Sequence, residues 1–200
     1  MLLPIHAQHP EPRKIARAVE LMRKGAVIAY PTDTVYGLGC DIHDKSAIER
    51  IHRMKRMKET QLLSFVCSDL RDIAHYGVVS DNAYRIMRKL VPGPYTFILQ
   101  ATREVPKVLR MHRKTVGIRV PDHPVALALA RELGSPVAST SASLEGEILI
   151  DPYEIEERFP ELSLVLEVDA VGSVPSTILD LSGAQPVIVR QGAGPTDMFG

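Results

Sequence analysis

The 200-residue sequence contains no tryptophan and only two cysteines, Cys40 and Cys67. These cysteines lack CxxC or CxxH spacing, which argues against a structural zinc site and against a disulfide framework. No apolar run is long enough to span a bilayer. We therefore expect a soluble protein of a reducing compartment, the cytoplasm, with no membrane partner.

Several common active-site signatures are also missing. The sequence has no G-x-x-x-x-G-K-[ST], no G-x-G-x-x-G behind a strand, no H-E-x-x-H and no G-x-S-x-G. His52, His75 and His123 have no second ligand at usable spacing, so we expect surface or packing roles rather than metal binding. The sequence is unlike that of a hydrolase or a zinc enzyme, and no metal ligand is predicted.

The hydrophobic content predicts one domain over residues 1–200. At 45% hydrophobic, a chain of this length buries about 70% of its unfolded surface. Short apolar strands alternate with helical patterns, and consecutive strands near the middle and the end require antiparallel pairing. We therefore predict an α/β fold with a mixed parallel and antiparallel sheet flanked by helices. The predicted helices cover 12–24, 81–91, 126–133 and 151–159, with one more that begins at a Ser46/Glu49 capping box; the predicted strands cover 26–30, 62–67, 95–100, 115–120, 137–138, 164–168, 177–181 and 186–190.

Charge is segregated although the formal net charge is zero. Basic residues concentrate in 50–58 and 103–119, and acidic residues in 145–169. If the two basic stretches share a face, that face attracts phosphates or RNA; otherwise they are solvated helix surfaces. The candidate RNA-binding residues are Arg50, Arg53, Arg56, Lys58, Arg113 and Lys114.

Two polar segments follow buried strands. The stretch ASTSASLEGE, residues 138–147, is either a polar capping loop or a cradle of hydroxyls for phosphate. PTDTVYGLG, residues 31–39, follows the first buried strand and places Thr34 and Tyr36 where open α/β sheets bind ligands. The alternative for this segment is a tight turn in which Gly37 and Gly39 supply backbone freedom.

Six motifs, taken in order, resemble one family. PTDTVYGLG, PGPYT, GIRVPDHP, STSAS, PSTILD and PVIVRQG are similar to the successive motifs of the YrdC-type threonylcarbamoyl-adenylate synthases, from about Lys14 to Gly192. LLSFVC, NAYRIMRKLVPGPYTFIL and RKTVGIRVP resemble the YciO-like branch of that family. The resemblance implies a twisted mixed sheet around a concave basic cavity.

The resemblance also implies a reaction. Family members with synthase activity convert L-threonine, bicarbonate and ATP to threonylcarbamoyl-adenylate and pyrophosphate, for N6-threonylcarbamoyladenosine formation in tRNA. Magnesium is expected to accompany ATP, without a protein ligand that the motifs identify. Because the threonine carbamate is itself the nucleophile, the protein needs mainly to position reactants and neutralise charge.

Matching motifs transfer roles to individual residues. The resemblance assigns threonine binding to Thr34, Tyr36, Arg119, Ser139 and Ser176, ATP binding to Lys55, Thr96, Ser141, Ser143 and Arg190, and a catalytic role to Lys55. Structural alternatives exist: Arg119 could pair with an acid across the sheet, and Ser176 could simply end a strand.

Two departures from the family pattern leave the activity open. Lys-x-Arg of the active synthases is here Lys55-Arg56-Met57, and Ser-x-Asn is Ser141-Ala142-Ser143. Helical geometry is expected to turn Arg56 to another face. A missing charged contact costs about 2 to 4 kcal/mol of transition-state stabilisation, or about two to three decades in rate. The alternatives to a synthase are a weakly catalytic or non-catalytic module that binds tRNA or double-stranded RNA, and carbamoyl chemistry on another substrate.

Overall fold

The computed structural model describes residues 1–57, 63–110 and 114–197. Its elements in chain order are β1 (Leu2–Pro4), α1 (Pro12–Arg23), β2 (Ile28–Tyr30), β3 (Gly37–Asp41), α2 (Lys45–Met54), β4 (Ser64–Val66), α3 (Leu70–Tyr76), β5 (Gly77–Val78), α4 (Asp81–Leu90), β6 (Tyr95–Ala101), α5 (Lys107–Arg110), β7 (Thr115–Arg119), α6 (Pro124–Leu133), β8 (Val137–Ser141), β9 (Ser143–Leu144), β10 (Glu147–Ile148), α7 (Pro152–Arg158), β11 (Leu164–Glu167), β12 (Thr177–Asp180) and β13 (Val187–Arg190).

One large mixed sheet organises the chain and confirms the predicted fold class. Its strand order is β1-β11-β2-β3-β8-β4-β7-β6-β12-β13, with β5 added on β6, while β9 and β10 form a separate hairpin. The pairs β1/β11, β11/β2, β4/β7 and β12/β6 are parallel. The remaining neighbours, including β3/β8, β8/β4 and β6/β7, are antiparallel.

The sheet ends at β13, which differs from the inner strands. Val187, Ile188, Val189 and Arg190 are all exposed, whereas β2 is buried throughout. β13 pairs with β12 on one side only, and a register shift interrupts this pairing between Ile178 and Leu179. It is therefore an edge strand with little burial to stabilise it.

The first two helices show which local signals decide their ends. α1 begins with Pro12, buries Ile15, Val19 and Met22, and is followed by Gly25 at φ +85°. A left-handed glycine at that point agrees with the sequence pattern. The predicted capping box of α2 is wrong, because Asp44 rather than Ser46 accepts the Ala47 backbone N–H.

β3 was not predicted, and it changes the interpretation of its glycines. Gly37 and Gly39 lie in a buried strand, not in a turn. A Cβ at Gly39 would lie 2.6 Å from Val137 Cγ1 and 2.7 Å from Tyr30 Cε1. These glycines serve close packing between strands rather than backbone freedom.

The other predicted elements are present with shifted ends. β8 continues to Ser141, so Ser139 to Ser141 belong to a strand and the capping-loop interpretation of this stretch is wrong. The predicted strand 62–67 is described as Ser64–Val66, and its first residue lies outside the described part. β1, β5, α3, α5 and the β9/β10 hairpin were not predicted. In the described ranges, no helix combines the length and apolar character needed to cross a membrane.

Candidate functional site

A cleft of about 720 Å³ opens on the central strands of the sheet. It collects nine of the ten residues predicted to bind threonine or ATP: Tyr36, Lys55, Thr96, Arg119, Ser139, Ser141, Ser143, Ser176 and Arg190. Among its described lining residues, Lys55, Arg56, Arg119 and Arg190 are cationic and Glu145 is acidic. Segments separated by more than 100 residues meet here because β3, β8, β4, β7, β6 and β12 lie side by side.

Arg119, the last residue of β7, forms a buried ion pair with Asp33, a partner that the sequence did not identify. Its Nη2 lies 2.5 Å from Asp33 Oδ1, and its Nη1 donates to Thr34 Oγ1 at 3.1 Å. Arg119 Nε and Asp33 Oδ2 are buried without a partner in the described structure. Burial lowers the pKa of Arg119 while Asp33 opposes this shift. The alternative of an acid partner is therefore observed, and Nε of the guanidinium is left with an unused donor.

Thr34 supports Arg119 rather than lining the cleft. Its hydroxyl shares a 3.0 Å hydrogen bond with Thr32, which also donates to the Val35 carbonyl at 2.6 Å. Tyr36 does line the cleft, and its hydroxyl accepts from the Val168 backbone N–H at 3.1 Å. Burial raises the pKa of Tyr36 to about 12. Hydroxyl hydrogen bonds therefore hold the segment after β2 in place beside the cleft.

A second network joins β6, β12 and β13. Thr96 and Ser176 share a 2.8 Å hydroxyl hydrogen bond, and Arg190 Nη2 donates to the Ser176 carbonyl at 2.7 Å. Burial lowers the pKa of Arg190, and the positive charge of Arg119 lowers it further. An anion between the two guanidinium groups would relieve that repulsion.

Lys55 lies at the C-terminal end of α2 and reaches across to β8 and β9. Its Nζ donates to the Ser141 carbonyl at 2.6 Å, to Ser143 Oγ at 3.0 Å and to Thr140 Oγ1 at 3.1 Å. Burial lowers the pKa of Lys55 to about 8. The three oxygens that accept from the ammonium group are all uncharged, and the described structure shows no carboxylate paired with it.

Ser139 lines the same cleft, but its hydroxyl already has a partner. Ser139 Oγ lies 2.6 Å from the Tyr30 hydroxyl, deep in the sheet. Burial raises the pKa of Tyr30 to about 12, so this pair stays neutral. Ser139 fixes the cleft floor in addition to any contact with a ligand.

Arg56 corrects an expectation from helical geometry. α2 ends at Met54, and Arg56 adopts a left-handed conformation with φ +53°. Its side chain therefore lines the cleft and pairs with Glu145 instead of turning away. Met57 lines the cleft as well.

Three of the candidate RNA-binding arginines contact other groups of the protein. Arg50 donates to the Gly25 carbonyl at 2.9 Å, and Arg53 lies 3.4 Å from Glu161. Arg56 pairs with Glu145, and Lys114 is exposed. Lys58 and Arg113 lie outside the described residues. RNA binding by these side chains stays a prediction.

Within residues 1–57, 63–110 and 114–197, no group of three or more His, Cys, Asp or Glu side chains is placed to hold a metal ion. Cys40 and Cys67 are both buried and free.

Comparison with known proteins supports the motif resemblance. The Sua5/YciO/YrdC family model, which carries the description telomere recombination, matches residues 20–192. The uncharacterized protein YciO of Escherichia coli K12 is 43% identical over 98% of this chain and 97% of its own. A crystal structure of E. coli YciO superposes with a TM-score of 0.95 at 42% identity, covering 100% of this chain and 98% of the other.

Relatives with a named activity are more distant. The threonylcarbamoyl-AMP synthase of Mus musculus is 34% identical over 90% of this chain and 68% of its own. Pyrococcus abyssi Sua5, solved in complex with L-threonine, gives a TM-score of 0.90 at 28% identity, covering 98% of this chain but 58% of Sua5. With a family model that spans most of its length and a cleft that gathers the family's motifs, this chain belongs to the Sua5/YciO/YrdC family.

Proposed function

We propose that the cleft binds L-threonine and ATP and that the protein forms threonylcarbamoyl-adenylate from them and bicarbonate, releasing pyrophosphate. The observation that supports this most is the convergence of Arg119, Lys55 and Arg190 on one cleft, with part of the Arg119 guanidinium unpartnered. The mouse relative is named for this activity, and P. abyssi Sua5 was solved with L-threonine. The product would serve threonylcarbamoylation of tRNA in the cytoplasm.

The residues divide the chemistry between two sides of the cleft. The threonine carboxylate binds the Arg119 guanidinium, while the Ser176 hydroxyl, positioned by its hydrogen bond to Thr96, offers a hydrogen bond to the threonine side chain. The threonine amine condenses with bicarbonate to a carbamate and water. A carbamate oxygen then attacks the α-phosphorus of ATP, and the bond to the β-phosphate oxygen breaks to release pyrophosphate.

Charge neutralisation is the main contribution of the protein to this step. Lys55 and Arg190 face the phosphates, and Ser141 and Ser143 fix the position of the Lys55 ammonium. Mg²⁺ enters with ATP as part of the substrate. No general base is required of the protein if the carbamate carries the negative charge before it attacks.

RNA binding is a second proposal with less support. Three of its candidate arginines already have partners within the protein. Affinity for tRNA that falls steeply with added salt would favour it, since each neutralised phosphate contributes to the salt dependence. Salt-insensitive or absent binding would remove it.

The synthase proposal is tested by product formation. Purified protein is incubated with ATP, L-threonine, bicarbonate and Mg²⁺, and threonylcarbamoyl-adenylate is sought by mass spectrometry together with pyrophosphate. Lys55→Ala should abolish the product, whereas Lys45→Ala, an exposed lysine at the other end of α2, should not. Product no greater in the wild type than in Lys55→Ala contradicts the proposal.

A further inference from the structure

Arg56 and Glu145 share an unusual backbone conformation. Both have φ +53°, and they are the two non-glycine residues with positive φ in the described part of the chain. Positive φ at Glu145 and Gly146 is the geometry of a two-residue hairpin loop, whereas for Arg56 it costs free energy, and such residues concentrate at ligand clamps and switch regions. The side chains of these two residues form an ion pair with each other.

The pair joins two separate elements at the mouth of the cleft. Arg56 follows Lys55 at the end of α2, and Glu145 lies in the turn between β9 and β10. Both side chains line the cleft, as does Gly146 beside Glu145. The Lys55 to Ser143 hydrogen bond connects the same two segments deeper in the cleft.

This ion pair is exposed and therefore easily exchanged. The Arg56 and Glu145 side chains are 73% and 66% exposed. Exposed pairs contribute little to stability because water screens them. A triphosphate presents several charged oxygens to the same guanidinium and can accept two parallel hydrogen bonds, so it competes well with one carboxylate.

We propose that Arg56 is a movable phosphate ligand and that Glu145 is its partner only while the cleft lacks a polyphosphate. On ATP binding the Arg56 guanidinium exchanges the Glu145 carboxylate for phosphate oxygens. Arg56 thereby supplies the guanidinium that the family pattern places one residue later, where this chain has Met57. The inference rests on the proposed function, since it requires a nucleotide in the cleft.

The same hairpin offers a matched control. Arg158 lies 3.7 Å from Glu147 of β10, also near the protein surface, and neither residue lines the cleft. Glu147 carries the same charge as Glu145 on the same hairpin, and Arg158 of α7 is its arginine partner, so changing this pair alters the same charges without touching the site. Any effect confined to Arg56 and Glu145 therefore comes from the cleft rather than from overall charge.

The test is calorimetric titration with MgATP, MgADP and adenosine. Arg56→Ala is expected to weaken MgATP binding about tenfold, to weaken MgADP binding less, and to leave adenosine unchanged. Glu145→Gln is expected to tighten MgATP binding about threefold, because the competing carboxylate is gone. Arg158→Ala and Glu147→Gln should match the wild type, and thermal unfolding verifies that each variant is folded.

Three outcomes overturn the inference. If Arg56→Ala binds MgATP as the wild type does while Lys55→Ala loses binding, the nucleotide site stands and Arg56 is not its ligand. If adenosine binding weakens as much as MgATP binding, Arg56 shapes the cleft and does not contact phosphate. If the folded wild type binds none of the three ligands, the proposed function fails and this inference fails with it.

Discussion

Arg119 Nη2 lies 2.5 Å from Asp33 Oδ1, and both side chains are about nine-tenths buried. Breaking such a pair leaves a charge in the protein interior. Asp33→Asn is therefore expected to lower the free energy of unfolding by about 3 kcal/mol. Urea denaturation measures the change. Glu49→Gln, in an exposed pair with Lys45, should change the free energy of unfolding by less than about 1 kcal/mol. Equal effects of the two substitutions would show that the buried pair stabilises the fold no more than an exposed one.

The lowered pKa of Lys55 predicts that ATP binding depends on pH. Because burial lowers its pKa to about 8, the ligand-free ammonium loses its proton as the pH rises through that value. ATP affinity should fall between pH 7 and pH 9 in the wild type. In Lys55→Arg it should stay constant, since a guanidinium keeps its proton in this range. The same decline in both proteins would exclude Lys55 as its cause.

The lowered pKa of Lys55 also makes the free energy of unfolding depend on pH. Between the folded pKa of about 8 and the ordinary value of 10.5, the unfolded chain binds more protons at this site than the folded chain. This contribution to the free energy of unfolding should therefore increase with pH across that window. Lys55→Met should lack the increase, which is seen by comparing denaturation curves of the two proteins.

Substitutions at Met57 test whether Arg56 replaces the arginine that the family's Lys-x-Arg motif has at position 57. Met57→Arg alone should change MgATP affinity by less than about threefold, because Arg56 already contacts phosphate. In an Arg56→Ala background the same substitution should recover about tenfold in affinity. Met57→Leu is the control for the loss of methionine. A large gain from Met57→Arg in the otherwise unchanged protein would show that the guanidinium is in fact missing.

Gly39 should not tolerate a side chain. A Cβ there would meet Val137 and the Tyr30 ring at under 3 Å, on both sides of a buried strand. Gly39→Ala is expected to destabilise the protein by about 1 to 3 kcal/mol in chemical denaturation. Gly183, whose nearest atom would be 4.0 Å from an added Cβ, is the control. Unchanged stability of Gly39→Ala would mean that β2, β3 and β8 separate easily.

Most helices and strands of the main sheet were predictable from local patterns. The helices bury residues at helical spacing, as Ile15, Val19 and Met22 of α1 do. β2 is a short apolar run that ends at Pro31, Pro94 directly precedes β6, and Pro121 closely follows β7. β3 escaped prediction because two glycines in five residues are typical of turns, and only the neighbouring Tyr30 ring explains them. Most residues that the family motifs single out line one cleft, while their roles and the ligands assigned to them stay predictions.

Other features of the site depend on distances that no local pattern encodes. The Asp33 to Arg119 pair joins residues 86 positions apart. Arg56 was assigned to the wrong face because a left-handed residue after a helix breaks the 3.6-residue period. In both cases the chemistry-bearing groups were visible in the sequence, but their partners were not.

Because β13 is the exposed edge of the sheet and carries Arg190, the cleft has one wall that can fray. Backbone amides of β13 should exchange with solvent deuterium well before those of β2 or β7, since few buried contacts protect them. A ligand that engages Arg190 would slow this exchange by adding contacts to the closed edge. Binding of an anion at Arg190 and pairing of β13 with β12 should then be thermodynamically coupled, so that each stabilises the other.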